Sequence, residues 1–349
     1  MGIHIRTCAG ILVMAVLVAG LSGRVARAQD AETFYKTHNK MTFGSPSNVG
    51  GGYDTYTRLL ARHMPAHIPG TPTTIVQNIP AGGGMQVANM VYNTAAKDGT
   101  FLGLVRGTVV QEHIYGNTAA MFDGRKFGWI GNMNIDYDGC IMWAASGVKT
   151  IKDFYTREVI VGASGAGAQS YSFPIVYNEI LGTKFKVISG YPGTPERLLA
   201  MERGELTGAC GITTSTLRAT LAQQYKDGKI LLVAQAGGEK DPTFPSVPNI
   251  LDEAKTPEAR QSLLFLFGTL DLGRPFAVAP EVSADRVALL QRAFVATMKD
   301  PELIEDAKKI QVDIDFMDGA KTRASVDVLY ATPKAAVDVL QAALAKKAG

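Results

Sequence analysis

Two hydrophobic periods alternate along this chain. Short β-branched and aromatic runs at 41–43, 73–77 and 101–105 read as strands. Between them, 54–63 and 85–94 carry apolar residues at helical spacing. The alternation resumes with strands at 140–145, 159–162, 185–188, 209–213 and 230–235 and helices at 169–181 and 194–203. Pro195 takes a tolerated first-turn position and Gly204 ends that helix. The stretch 237–248 is rich in Gly and Pro and reads as a crossing segment. Beyond it lie a strand at 276–279, an amphipathic helix at 284–298, a strand at 312–316 and a helical region at 326–345. Strands alternating with helices predict an α/β fold. No fixed-period repeat interrupts the pattern.

Three times a strand gives way to a glycine loop and then a helix: at 45–54, 78–85 and 163–170. The first N–H groups of a helix have no partner within it, and together with the helix dipole they favour an anion. Glycine lets an anion approach the backbone and permits positive φ. Gly50-Gly51-Gly52, leading into Tyr53 and Asp54, suits that role best, with Asp54 itself read as a helix cap. A glycine loop also serves as a plain tight turn, so the weight lies in finding three in one chain. Arg106, just after the third strand, is the best-placed cation for a second carboxylate, against the plainer reading of a surface charge. Tyr53, Tyr171 and Tyr191 are candidates for a pocket wall; half-buried packing explains Tyr53 equally well and explains Tyr171 and Tyr191 better.

Residues 1–28 alter the charge balance. His4 and Arg6 precede an apolar stretch at 11–21, and Ala26-Arg27-Ala28 is a small-x-small site, which together predict a cleaved secretory signal. The stretch is shorter than the roughly 20 residues of a membrane span. Removing Arg6, Arg24 and Arg27 brings 35 Lys+Arg down to the number of Asp+Glu, 32. A near-neutral chain gives no reason to expect nucleic acid as a partner. The remaining length of about 320 residues exceeds one comfortable core and predicts two domains. In an exported chain, Cys140 and Cys210 leave two readings, a disulfide or two buried thiols. No CxxC or histidine–carboxylate grouping suggests a metal, and no cofactor motif is complete.

Gly162-Ala163-Ser164-Gly165-Ala166 approaches the nucleophile elbow GxSxG, with alanine at its last position. His38, His63, His67 and His113 all precede Ser164, whereas the α/β-hydrolase order places histidine after serine. Gly165-Ala166-Gly167-Ala168-Gln169-Ser170 fails GxGxxG at Ser170, and no GxxxxGK[ST] exists. An exported serine hydrolase using Ser164 is the alternative these residues leave.

The same loops carry a resemblance. Gly50-Gly51-Gly52-Tyr53-Asp54 with Arg58-Leu59-Leu60-Ala61 resembles the GGGxD and RLLA signature of the tripartite tricarboxylate transporter substrate-binding (TctC or Bug) family. Asn78-Ile79-Pro80-Ala81-Gly82-Gly83, Lys97-Asp98-Gly99-Thr100, Ala163-Ser164-Gly165-Ala166-Gly167 and Phe244-Pro245-Ser246-Val247-Pro248 are similar to its later motifs, in order. The resemblance implies a type II periplasmic binding protein fold, with two mixed α/β lobes that close on a small organic carboxylate. Lobe 1 would be 29–131 plus 239–349, and lobe 2 would be 132–238. It implies a periplasmic monomer that catalyses no reaction and serves a large and a small integral membrane subunit. A sensor-type binding protein without transport is its variant. Ligand contacts implied by the resemblance are Ser47, Asn48, Gly50, Gly51 and Gly52 in the first loop, and Ser164, Gly165, Ala166 and Gly167 in the second lobe. Tyr53 and Arg106 join them from the reading of the residues. Asn48-Val49 replaces the usual Pro-Pro, and Tyr191-Pro192-Gly193-Thr194 stands where YKGS is common, so the far end of the ligand is not implied.

Overall fold

The computed structural model describes residues 31–50, 52–164, 168–191 and 193–345. The expected signal and the candidate contacts Gly51, Gly165, Ala166 and Gly167 lie outside the described residues.

Among the described residues, eleven strands form two sheets. In the first, β1 (Lys40–Ser45), β2 (Thr73–Asn78) and β3 (Phe101–Leu104) run parallel. β10 (Pro275–Val278) then pairs antiparallel with β3 and with β4 (Gly128–Asn132), and the short β11 (Met317–Asp318) closes the edge, giving the order β11-β4-β10-β3-β1-β2. The second sheet has the order β7-β6-β8-β5-β9. Its strands are β5 (Asp138–Trp143), β6 (Val159–Ala163), β7 (Phe185–Ser189), β8 (Gly208–Thr213) and β9 (Ile230–Ala236). β6 is parallel to β7 and β8, while β5 is antiparallel to β8 and β9. Both sheets are therefore mixed and flanked by helices, as the α/β reading expects.

The helices pack because each offers an apolar face. Helix Gly52–His63 buries Tyr56, Leu59, Leu60 and His63 against the first sheet, and helix Ala284–Met298 buries Leu289, Leu290, Ala293 and Phe294 there. Helix Pro257–Asp271 buries nearly every residue from Ser262 to Leu270. It joins the two halves: its Phe267 packs on Phe173 and Tyr177 of helix Gln169–Leu181, while Phe265 packs on Tyr115. The C-terminal helix Lys334–Ala345 docks on helices Pro257–Asp271 and Gln169–Leu181, and Ser262 Oγ donates to Ala336 O.

Two expected elements differ. The stretch 312–316 is not a strand. Its one ladder contact is an isolated bridge, Asn134 to Asp315, and Asp313 and Asp315 turn toward polar partners instead. The region 326–345 is two helices, Gly319–Tyr330 and Lys334–Ala345, parted at Pro333, which cannot continue a helix. The stretch 237–248 stays on the second sheet for most of its length. Gln235 Nε2 donates to Phe244 O and Val247 O, and Gln235 Oε1 accepts from Asp241 N–H.

Cys140 on β5 and Cys210 on β8 form a buried disulfide within the second sheet, across 70 residues of sequence.

Candidate functional site

A cavity of about 400 Å³ opens where the ends of the two sheets face each other. From the first half come Tyr53 at the start of helix Gly52–His63, Arg106 after β3, and Arg274 before β10. From the second half come Ser164 after β6, Gln169 and Ser170 at the start of helix Gln169–Leu181, and Arg197 on helix Thr194–Glu202. Asp136, on the crossing between β4 and β5, forms part of the floor.

The charge balance of this wall is lopsided, with three guanidiniums against one carboxylate. Arg274 Nη1 pairs with Asp136 Oδ2 at 2.9 Å, and its guanidinium lies 4.6 Å from the Tyr53 ring centre and 4.8 Å from that of Tyr56. Arg106 also lies over Tyr53, at 4.6 Å, and donates from Nη1 to Gly83 O at 2.7 Å. Cation–π contact fixes a guanidinium without neutralising it. The Nε groups of Arg106 and Arg274 are buried and have no hydrogen-bond partner among the described residues. Arg197 is 5 % exposed. It donates to Gly193 O at 3.3 Å, Cys210 O at 3.2 Å and Thr194 Oγ1 at 2.9 Å, all neutral acceptors. Burial lowers its pKa, opposed by Asp138 beneath it.

Backbone geometry brings the second-half wall together. Gly211 of β8 has φ +70°, and a Cβ there would run into the backbone of Ser170, so only glycine lets the helix start lie against the strand. Ser170 Oγ in turn accepts from Ser164 N–H at 3.2 Å.

Of the sequence candidates, Tyr53, Arg106 and Ser164 are brought together here. Ser47, Asn48, Gly50 and Gly52 do not line the cavity. Their loop is organised around the chain's own carboxylate. Asp54, 1 % exposed, accepts from Gly50 N–H at 2.8 Å, Arg58 Nε at 2.8 Å and Asn78 Nδ2 at 2.7 Å, and Ser47 Oγ accepts from Asp54 N–H at 3.0 Å. Burial alone would raise the Asp54 pKa, but these hydrogen bonds hold it below the usual carboxylate range. The Gly50 amide is thus occupied by Asp54. Tyr171 and Tyr191 pack beside the second-half cores and do not line the cavity. The four histidines among the described residues are engaged elsewhere: His38 with Phe34, His63 with Asp306, His67 with Asp300, and His113 with Tyr330.

Sequence reasoning missed Arg197, Arg274, Asp136 and Ser170. One signal was present for Arg197, which sits at i, i+3, i+4 spacing with Ala200 and Met201 on the buried stripe of its helix. A lone cation on an apolar face points to a buried charge with a task. Arg274 follows Leu272-Gly273 in a loop and gave no such signal.

No family model matches the sequence, and no curated protein matches it. Solved structures do. The TctC solute-binding protein from Polaromonas superposes with a TM-score of 0.68 at 17% identity, covering 87% of this chain and 98% of that one. An R. palustris protein solved with adipate gives 0.60 at 14% identity, covering 86% and 97%. MatC from Rhodopseudomonas palustris with bound malate gives 0.56 at 18% identity, covering 87% and 98%. The fold is therefore the two-sheet architecture of the TctC-type solute-binding proteins, as the resemblance implies.

Proposed function

We propose that this chain is a periplasmic solute-binding protein that captures a small organic carboxylate and delivers it to integral membrane subunits of a tripartite tricarboxylate-type transporter. The observation that carries the reading is the cleft wall, where three guanidiniums face one carboxylate across two separately built sheets. An anion entering it exchanges water for charge-assisted bonds from both halves at once. A ligand that contacts both halves in only one arrangement stabilises that arrangement, which is hinge closure of lobe 1 on lobe 2, with the return crossing after Pro248 rather than at 239, because 237–248 packs on the second sheet. Malate and adipate, held by proteins of this fold, set the size of ligand to try. Ser164 serves as a binding group rather than a nucleophile, because the imidazoles that could activate it are paired in the other half. Ser47, Asn48, Gly50 and Gly52 shape the entry to helix Gly52–His63, and Gly51, Gly165, Ala166 and Gly167 stay as the ligand contacts that the resemblance implies. Among the described residues no helix is long and apolar enough to cross a membrane, so membrane passage would belong to the partner subunits.

A thermal-shift screen of organic acids tests the reading. Ligand at a hundredfold excess over Kd adds about 2.7 kcal/mol to folding stability, which is a plain rise in Tm. At least one mono-, di- or tricarboxylate should produce it. A screen in which only cations or neutral sugars shift the melting point would overturn the proposal.

A further inference from the structure

Asp138 is the first residue of β5, directly after the crossing that carries Asp136. It is fully buried, at 0 % exposure. One carboxylate oxygen accepts from Gly139 N–H at 2.7 Å, and Oδ2 has no partner among the described residues. Its neighbours across the sheet, Thr213 on β8 and Ala236 on β9, carry no charge. Helix Gln169–Leu181 contributes Tyr177, whose hydroxyl is buried with no partner among the described residues, and whose pKa is driven upward by burial and then by Asp138. The remaining charges that act on it are Asp136 on the crossing and Arg197 on helix Thr194–Glu202. An ionised carboxylate with one bare oxygen in such a place is strongly disfavoured against its protonated form. Burial, ahead of the opposing Gly139 hydrogen bond and Arg197, pushes its pKa up to about 7.

We propose that Asp138 is a proton-binding site coupled to the cleft through Arg197, so that an anion settling against Arg197 and a proton on Asp138 are taken up together. This rests on the reading of the cleft as an anion site. Arg197 is the link, since it forms part of the cavity wall and its Nη1 donates to Cys210 O on β8, the strand that pairs with Asp138's own strand. When Asp138 is ionised it shares the field of that guanidinium and repels an incoming carboxylate. When it is protonated, the whole charge of Arg197 faces the ligand. Linkage makes the effect reciprocal: the bound anion draws a proton onto Asp138, and a proton on Asp138 tightens the anion. Affinity therefore rises as pH falls through neutrality.

Asp138→Asn, neutral at every pH and of the same shape, separates the possibilities. The first measurement needs no ligand. A carboxyl raised in the folded state keeps its proton there while the unfolded chain loses its own near pH 4, so folding stability falls between about pH 4 and 7 and levels off above. The urea midpoint of the unaltered protein should drop relative to Asp138→Asn between pH 5 and pH 8. An equal difference at both pH values overturns the proton site. The second measurement titrates malate, adipate and citrate calorimetrically at pH 6 and pH 8, in buffers of different ionisation enthalpy. The unaltered protein should bind more tightly at pH 6 and take up a fraction of a proton per ligand. Asp138→Asn should bind with neither effect. Binding without proton uptake, or uptake that persists in the variant, overturns the coupling. If none of the three acids binds at either pH, the anion reading of the cleft falls and takes the coupling with it, while the unfolding curves still decide the proton site.

Discussion

Arg197 is held by three neutral oxygens in a site where water cannot reach most of it. A buried cation so placed keeps much of its field for whatever enters the cavity, because neutral acceptors position a guanidinium more than they neutralise it. Arg197→Gln should therefore weaken binding of the acid found in the screen by about tenfold to a hundredfold, the 1.5–3 kcal/mol scale of a hydrogen bond to a charged group. Calorimetric titration measures it, with circular dichroism to confirm that the variant is folded. An unchanged Kd would move the anion to Arg106 and Arg274. At this scale the sequence was informative about residue types and less so about their use. It pointed to Tyr53, Arg106 and Ser164, which meet in the cavity. It also treated the first glycine loop as the main anion cradle. Nothing in the spelling of Gly50 to Asp54 says that the Asp54 carboxylate turns back to take the Gly50 amide with Arg58 and Asn78, since Asn78 arrives from 24 residues away.

Among the elements, the second sheet is stapled where it forms the cleft. Cys140 and Cys210 join antiparallel neighbours β5 and β8, and Cys210 O is also an acceptor for Arg197. In the loop-entropy account, a bridge closing 70 residues removes about 4 kcal/mol of freedom from the unfolded chain. Replacing both cysteines by serine should lower stability by about that amount in urea unfolding, and a reductant should depress the Tm of the unaltered protein alone. A pair of titratable thiols in the denatured, unreduced protein would show that no bridge forms. The sequence left this pairing open because spacing says nothing about which strands become neighbours. It bounded the helices 169–181 and 284–298 at the residues where the structure bounds them. Helix Pro257–Asp271 escaped for a physical reason. It is buried nearly all round from Ser262 to Leu270 and so offers no polar face from which a 3.6-residue period could be read. The strand expected at 312–316 failed the other way: its alternating Val312, Ile314 and Phe316 do pack on the first core, but Asp313 and Asp315 are committed to other partners and no ladder forms.

For the whole molecule, the question is what sets the resting arrangement of the two sheets before a ligand arrives. Arg218, on helix Thr214–Ala219 of the second half, reaches Asp241 Oδ2 at 2.9 Å and Asp313 Oδ2 at 2.7 Å. Asp241 is tied to β9 through Gln235, so that pair stays within the second half. Asp313 belongs to the other side, where its carbonyl accepts from Tyr56 of helix Gly52–His63 at 2.8 Å. The Arg218–Asp313 pair is therefore a link between the halves, placed beside the crossing and next to the cleft floor at Asp136. Both partners are partly exposed, at 36% and 46%, so the pair contributes at most about 1 kcal/mol. That is little against global stability, but it is enough to change the ratio of two hinge arrangements about fivefold. Asp313→Asn cuts this link and leaves Arg218–Asp241 intact. The expected result is an unfolding free energy in urea lowered by no more than about 1 kcal/mol, the ceiling for an exposed pair. Ligand-free small-angle scattering should shift toward more extended particles, and saturating acid should restore the compact profile. A scattering curve identical to that of the unaltered protein would show that the crossing strands and helix Pro257–Asp271, rather than this ion pair, hold the halves in register.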